Sequence, residues 1–285
     1  MEALEVTAGD GTRLVCWDFG GNGPTILMMH GAGLHGRCWA PVARALSAGF
    51  RPIAMDLRGH GASGRSPDGL YGWESFATDA LTAVEQLGLA RPGQGSPKLV
   101  GVGHSAGASA LVMAERARPG TFAGLWAWEP IITIPGSHLT ASRSAALAER
   151  ARRRRAEFPS IEQARSHLEG RGLFAEFSPE AFEAFLEGGF ISEAGGGVRL
   201  ACGPDDEARV YEGGLSRSAW EDLGHFHPPA RVLGGGHSKA VPFEELEAIT
   251  AQLPAGELAT IAGLGHFGPF GDPPLVAADI ARWST

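Results

Sequence analysis

Five residues, Gly103-His104-Ser105-Ala106-Gly107, constrain this chain more than any other stretch. They match G-x-S-x-G. The apolar, β-favouring Lys98-Leu99-Val100-Gly101-Val102 leads into them, and alanine-rich residues 106–116 lead out. Strand, sharp turn and helix in that order leave a serine hydroxyl exposed at the end of a sheet. Glycine on each side of the turn lets strand and helix pass close together. The helix starting at the turn aims free N–H groups at any negative charge that develops beside Ser105. G-x-S-x-G arises by chance in a chain with 42 glycines, so the flanking strand and helix are what make the match specific.

The rest of the chain alternates in the same way. Residues 4–7 and 12–17, split by Gly9-Asp10-Gly11, predict a β-hairpin. Residues 25–29 are a short continuous apolar run, as in a strand buried on both faces. Helices are predicted at 39–47 and 73–87, and strands at 52–56 and 122–128, the last ending at Glu129-Pro130. A mostly parallel sheet covered on both sides follows from that order. The alternation breaks between about Ile134 and Phe226, where helices are predicted at 144–158, 161–168 and 179–186 around Gly188-Gly189 and Gly195-Gly196-Gly197. It resumes with strands at 230–233 and 258–261 and helices at 242–252 and 273–283. The expected organisation is a core of residues 1–133 and 229–285, with residues 134–228 a helical cap over the sheet's carboxyl edge.

A net charge of −8 argues against nucleic acid or an anionic membrane surface as a partner. The one basic run, Arg152-Arg153-Arg154-Arg155, reads as a solvated helix face, with a contact for an anionic substrate group as the other reading. Cys16, Cys38 and Cys202 are odd in number and lack C-x-x-C spacing, which suggests neither a disulfide scaffold nor a zinc site. Residues 1–5 lack a basic n-region and an apolar h-region, and no apolar run is long enough to span a bilayer. A cytoplasmic protein is expected.

Serine is a weak nucleophile that needs a histidine base oriented by a carboxylate. In open α/β sheets such groups gather at the carboxyl ends of strands. His266, in Gly263-Leu264-Gly265-His266-Phe267, directly follows the last predicted strand in a loop able to reach back over Ser105. His30 more plausibly shapes the loop after its strand, His60 is a hydrogen-bonded turn residue, and His104 should point away from its neighbour Ser105. His35, His138, His167, His225, His227 and His237 carry no comparable signal and default to surface or packing roles.

Four motifs in this order, His30-Gly31-Ala32-Gly33, Asp56-Leu57-Arg58-Gly59-His60-Gly61-Ala62-Ser63, Gly103-His104-Ser105-Ala106-Gly107 and Gly263-Leu264-Gly265-His266-Phe267, resemble the α/β-hydrolase superfamily. The resemblance implies the α/β-hydrolase fold: a mostly parallel eight-stranded sheet flanked by helices, with a helical cap insertion. It also implies a serine hydrolase that needs neither metal nor organic cofactor and acts on a small molecule. The chain departs from the usual pattern at the acid. The loop after the strand at 230–233 reads Gly234-Gly235-Gly236-His237-Ser238-Lys239, with Ser238 where aspartate is usual, and neither glycine, serine nor lysine can stabilise an imidazolium. Glu244 and Glu245 would point to solvent from a helix. Glu129 is the replacement, since some α/β-hydrolases, including haloalkane dehalogenases and certain lactone hydrolases, place the acid at that strand end. The alternative for Glu129 is a salt bridge at the cap hinge. Asp56 reads as a structural hydrogen-bond acceptor.

Of the two N–H donors an oxyanion requires, Ala106 supplies one. Ala32 supplies the other, with Gly33 as its alternative. Residues 198–204 and 207–211 also resemble caps of a bacterial branch that shows a pair like Glu129-Pro130. The cap's aromatic residues, Phe158, Phe174, Phe177, Phe182, Phe185, Phe190, Trp220 and Phe226, mostly form its own core yet favour an apolar group in the substrate. An ester or lactone with an apolar portion is therefore expected. The alternatives are carbon–carbon bond hydrolysis of a vinylogous diketone, whose oxyanion loop His30-Gly31-Ala32-Gly33 resembles, and a ligand-binding homologue with negligible turnover. Oligomeric state is not encoded in any of these features.

Overall fold

The computed structural model describes residues 1–90, 99–135, 139–214 and 218–284. Lys98 and His138 lie outside them. Gly11, at φ 86°, turns β1 (Glu2–Thr7) back onto β2 (Arg13–Asp18), antiparallel with Val6 opposite Leu14. β3 (Thr25–Met29) is buried at every position. Its alternate side chains enter different cores: Leu27 and Met29 join the cluster on one face, Ile26 and Met28 the cluster on the other. Two covered faces are why its sequence is continuously apolar instead of alternating. After α1 (Ala40–Leu46) come β4 (Arg51–Met55), α2 (Trp73–Gln86), β5 (Val100–His104), α3 (Ala106–Ala117) and β6 (Gly124–Trp128).

The chain then leaves the sheet. The insertion holds α4 (Leu139–Arg152), β7 (Glu157–Phe158), α5 (Ile161–Leu168), α6 (Pro179–Gly188), β8 (Phe190–Ser192), β9 (Val198–Leu200), α7 (Pro204–Gly213) and α8 (Ser218–Leu223). Its helices at 161–168 and 179–186 match expectation closely. The expected helix at 144–158 does not: α4 ends at Arg152, and Glu157 and Phe158 instead pair antiparallel with Arg199 and Val198. The insertion thus carries a small three-stranded sheet, β7-β9-β8, that a purely helical cap did not anticipate. Gly196 and Gly197, both at φ 89°, close its β8–β9 hairpin. Ser160 and Ser178 cap α5 and α6 by accepting the N–H groups of Gln163 and Ala181.

The chain returns as β10 (Ala230–Gly235), followed by α9 (Phe243–Gln252), β11 (Gly256–Ile261), the short α10 (Gly268–Gly271) and α11 (Pro273–Ser284). The main sheet has eight strands in the order β1-β2-β4-β3-β5-β6-β10-β11. β2 runs against its neighbours and the remaining pairs are parallel. Strand order reverses at β3, with β4 on one side and β5 on the other. Loops leaving the carboxyl ends of β3 and β5 therefore open a crevice at the place where open α/β sheets bind ligands. Val42, Val276 and Ile280 of α1 and α11, with Trp39 just before α1, fill one core, and Phe76, Leu111 and Ile249 of α2, α3 and α9 the other. Among the described residues no helix is long and apolar enough to cross a membrane.

Candidate active site

Ser105 stands between β5 and α3 at φ 54° and ψ −125°. A non-glycine residue held there costs on the order of 1–3 kcal/mol, so the surroundings must impose it. They do so by close approach. A Cβ at Gly103 would collide with the Ala108 backbone, and one at Gly107 would lie 2.5 Å from the Met29 carbonyl oxygen. The Ser105 N–H donates to the Trp128 carbonyl at 2.9 Å, tying the turn to β6. Ala106 begins α3, where a backbone N–H has no intrahelical acceptor.

Among the described residues, Ser105 and Glu129 are the two that carry a side chain at positive φ. Glu129, at φ 42° and with no solvent exposure, follows β6 directly. Its N–H still donates to the Leu233 carbonyl at 2.8 Å. Its Oε1 accepts the Gly235 N–H at 2.9 Å, and its Oε2 accepts the Ser238 hydroxyl at 2.7 Å. The same Oε2 lies 2.7 Å from Nδ1 of His266. An Nδ1–H donated to that carboxylate leaves Nε2 as the ring atom with the free lone pair.

Ser238, in the loop after β10, reaches the Glu129 carboxylate with its hydroxyl. Serine cannot stabilise an imidazolium itself, so its sequence position gives it no part in the site. It acts one bond further out, on Glu129.

The His266 loop is fixed from three directions. The His266 carbonyl accepts Nε1–H of Trp128 at 2.9 Å and Nε2–H of His104 at 3.1 Å. The Phe267 N–H donates to Glu176 of the insertion at 3.0 Å. His104 is buried, and burial, with His266 beside it, pushes its pKa well below the usual 6.5. It is therefore neutral, and its ring centroid lies 4.7 Å from that of His266. Its ring supports the histidine on the neighbouring loop, a contact that its place beside Ser105 in the sequence does not reveal. Sequence reasoning also missed Glu176, because nothing local marks a cap carboxylate as a partner of residue 267.

The loop after β3 is held by His30 and His60. His30 donates through Nδ1 to the Gly31 carbonyl at 2.8 Å and accepts the Leu57 N–H through Nε2 at 3.0 Å. His60 donates to the Arg58 carbonyl at 3.0 Å, and its Nε2 accepts the Gly33 N–H at 3.2 Å. The Gly33 N–H is thus occupied, and Gly33 does not line the main cavity, whereas Ala32 does. Asp56 accepts from Gly36 N, Ala62 N and Trp17 Nε1 at 2.6, 2.8 and 3.0 Å, a structural acceptor as its motif suggested.

Ser105, His266, Ala32 and Ala106 line one cavity of about 650 Å³ beneath the insertion, within the range of small-molecule sites. Its wall is largely apolar, with Ile131, Leu147, Leu168, Leu173 and Val241. Of the eight aromatic residues expected in the cap, Phe174 reaches this wall and the others pack elsewhere. Glu245, expected to point to solvent, is half-buried at the wall near Arg143. The basic run divides: Arg152 pairs with Glu212, Arg153 with Glu149, and Arg155 lies over Phe158, while Arg154 turns inward onto Glu207 at the cavity wall. Among the described residues no group of three or more His, Cys, Asp or Glu side chains is disposed to hold a metal.

The family model described as the alpha/beta hydrolase family matches residues 26–279. Among curated proteins, the chain is 37% identical over 103 residues to a non-heme haloperoxidase of Rhodococcus erythropolis, covering 36% of this chain and 34% of that one. It is 31% identical over 172 residues to lipase LipV of Mycobacterium tuberculosis, covering 59% of each. The matched segments thus span about one third and three fifths of those relatives' own lengths. Among solved structures, E-2-(acetamidomethylene)succinate hydrolase superposes with a TM-score of 0.84 over 99% of both chains at 22% identity, a likeness of fold.

Proposed function

Since the chain belongs to the α/β-hydrolase family, we propose that it is a serine hydrolase cleaving a carboxylic ester or lactone with an apolar portion through an acyl-enzyme. The observation that carries this reading is the 2.7 Å contact between Glu129 Oε2 and His266 Nδ1 on a histidine that shares its cavity with Ser105. In the proposed reaction Ser105 Oγ attacks the carbonyl carbon while His266 Nε2 takes the hydroxyl proton. Nδ1–H stays on the imidazolium and Glu129 stabilises it. The N–H groups of Ala32 and Ala106 receive the negative charge on the carbonyl oxygen, which is where preorganised donors contribute most. His266 then returns the proton to the leaving alkoxide. In the second half it removes a proton from water, which attacks the acyl carbon and frees Ser105.

The position of the acid favours this reading over carbon–carbon bond hydrolysis, whose enzymes usually keep the acid in the loop after β10. A homologue that only binds ligand would hold the same cavity without an activated hydroxyl. Incubation with a fluorophosphonate followed by peptide mass analysis distinguishes the two. An adduct on Ser105 is expected, whereas an unmodified Ser105 after prolonged exposure would refute hydrolysis by this serine.

A further inference from the structure

The lining of the cavity carries charge that the proposed chemistry leaves unused. Arg143, Arg150, Arg154, Arg171 and Lys239 all line the cavity, against Glu176, Glu207 and Glu245. That is an excess of positive charge inside one cavity of a chain whose net charge is −8. Two of the cations are answered: Arg154 pairs with Glu207, and Arg143 is offset by Glu245. Arg150, Arg171 and Lys239 have no ion pair among the described residues, although most of the chain's other arginines do. Arg171 spends one N–H on the His167 carbonyl at 3.3 Å. Nη2 of Arg150 comes within 3.9 Å of a Cβ placed on Gly172, the residue after Arg171. Glu176, the remaining carboxylate, is engaged with the Phe267 N–H.

Three cations without an ion pair among the lining residues, apolar side chains along much of the rest and a serine in the same cavity together describe a ligand with an apolar body and an anionic end. We infer that the substrate is an ester whose acyl chain ends in a carboxylate, held by Arg150, Arg171 and Lys239 several bonds from the scissile carbonyl. The inference rests on the esterase reading and adds the substrate class to it. A guanidinium fork matches a carboxylate in two parallel hydrogen bonds, and Lys239 adds a mobile point charge.

The test compares p-nitrophenyl hydrogen adipate with p-nitrophenyl 6-methylheptanoate, which has the same shape and no charge. Each partly exposed ion pair contributes roughly a 1.5- to 5-fold effect. The wild-type kcat/KM should therefore favour the adipate by about tenfold, and 0.5 M salt should reduce that preference. The triple variant Arg150→Gln, Arg171→Gln, Lys239→Gln should lower the ratio of the two kcat/KM values by about tenfold, whatever it does to either alone. A wild-type ratio at or below one, or a ratio the triple variant leaves unchanged, overturns the inference while esterase activity stands. If neither ester is turned over, the esterase reading falls, and the anion site is judged by calorimetry on the Ser105→Ala protein. Monomethyl adipate binding about fivefold or more tighter than dimethyl adipate, with the difference lost in the triple variant, upholds the site; equal binding overturns it.

Discussion

Glu129→Gln is expected to lower kcat for a p-nitrophenyl ester by about 10⁴, with a much smaller change in KM. The amide keeps the shape of the side chain and an oxygen to accept from Gly235 N, and its NH₂ can donate to the Ser238 hydroxyl oxygen, so the fold around it should persist. What it removes is the acceptor for Nδ1–H of His266, now 2.7 Å away. An amide NH₂ turned toward the ring selects the opposite tautomer, with the proton on Nε2. A ring in that state has no lone pair to take the Ser105 proton, and no negative charge faces the imidazolium when it forms. Adding Ser238→Asp to this variant should recover at least about tenfold of the loss. The Ser238 hydroxyl lies 2.7 Å from the very carboxylate oxygen that meets His266, so an acid there enters the same pocket from the loop after β10. A fully active Glu129→Gln protein would mean that another group orients the histidine.

The second large effect belongs to Ser105→Ala, for which kcat should fall by roughly 10⁴ or more, toward the activity that the oxyanion donors and cavity supply alone. Alanine has the same Cβ in the same strained φ of 54°, so the turn is neither relieved nor newly stressed. Circular dichroism of the variant should match the wild type. Ester hydrolysis within tenfold of wild type in this variant would place the chemistry on another residue.

Much of this site was legible in the primary structure because its parts are local. A G-x-S-x-G between a strand and a helix announces its own geometry, and the two glycines are where a Cβ meets the facing backbone. His266 stands out because it follows the last strand, whereas Glu129 comes from the resemblance to α/β-hydrolases that place the acid at that strand end, since the loop ending in Ser238-Lys239 lacks one. The supporting residues around them were less visible. Ser238, His104 and Glu176 act through contacts spanning 109, 162 and 91 residues of sequence separation, and nothing local marks them. Gly33 and Ala32 are adjacent, and what distinguishes their N–H groups is the His60 ring, 27 residues from Gly33, together with the cavity lining.

The small sheet of the insertion escaped for a different reason. Strands of two and three residues are too short for period-two alternation to register. The arginine-rich run after Ala151 carries no helix stop signal of its own. α4 ends at Arg152 because Glu157 and Phe158 find a partner strand more than 30 residues later. Pairing of this kind overrides propensity.

Intact-protein and peptide mass spectrometry on enzyme acid-quenched during turnover of a p-nitrophenyl ester reads whether Ser105 becomes covalently acylated and is then released by water. The expected result is a mass increase equal to the acyl group, located on the peptide containing Ser105, decaying as substrate runs out and absent from Ser105→Ala. Ongoing ester hydrolysis with Ser105 never acylated, and with Ser105→Ala equally active, would contradict it.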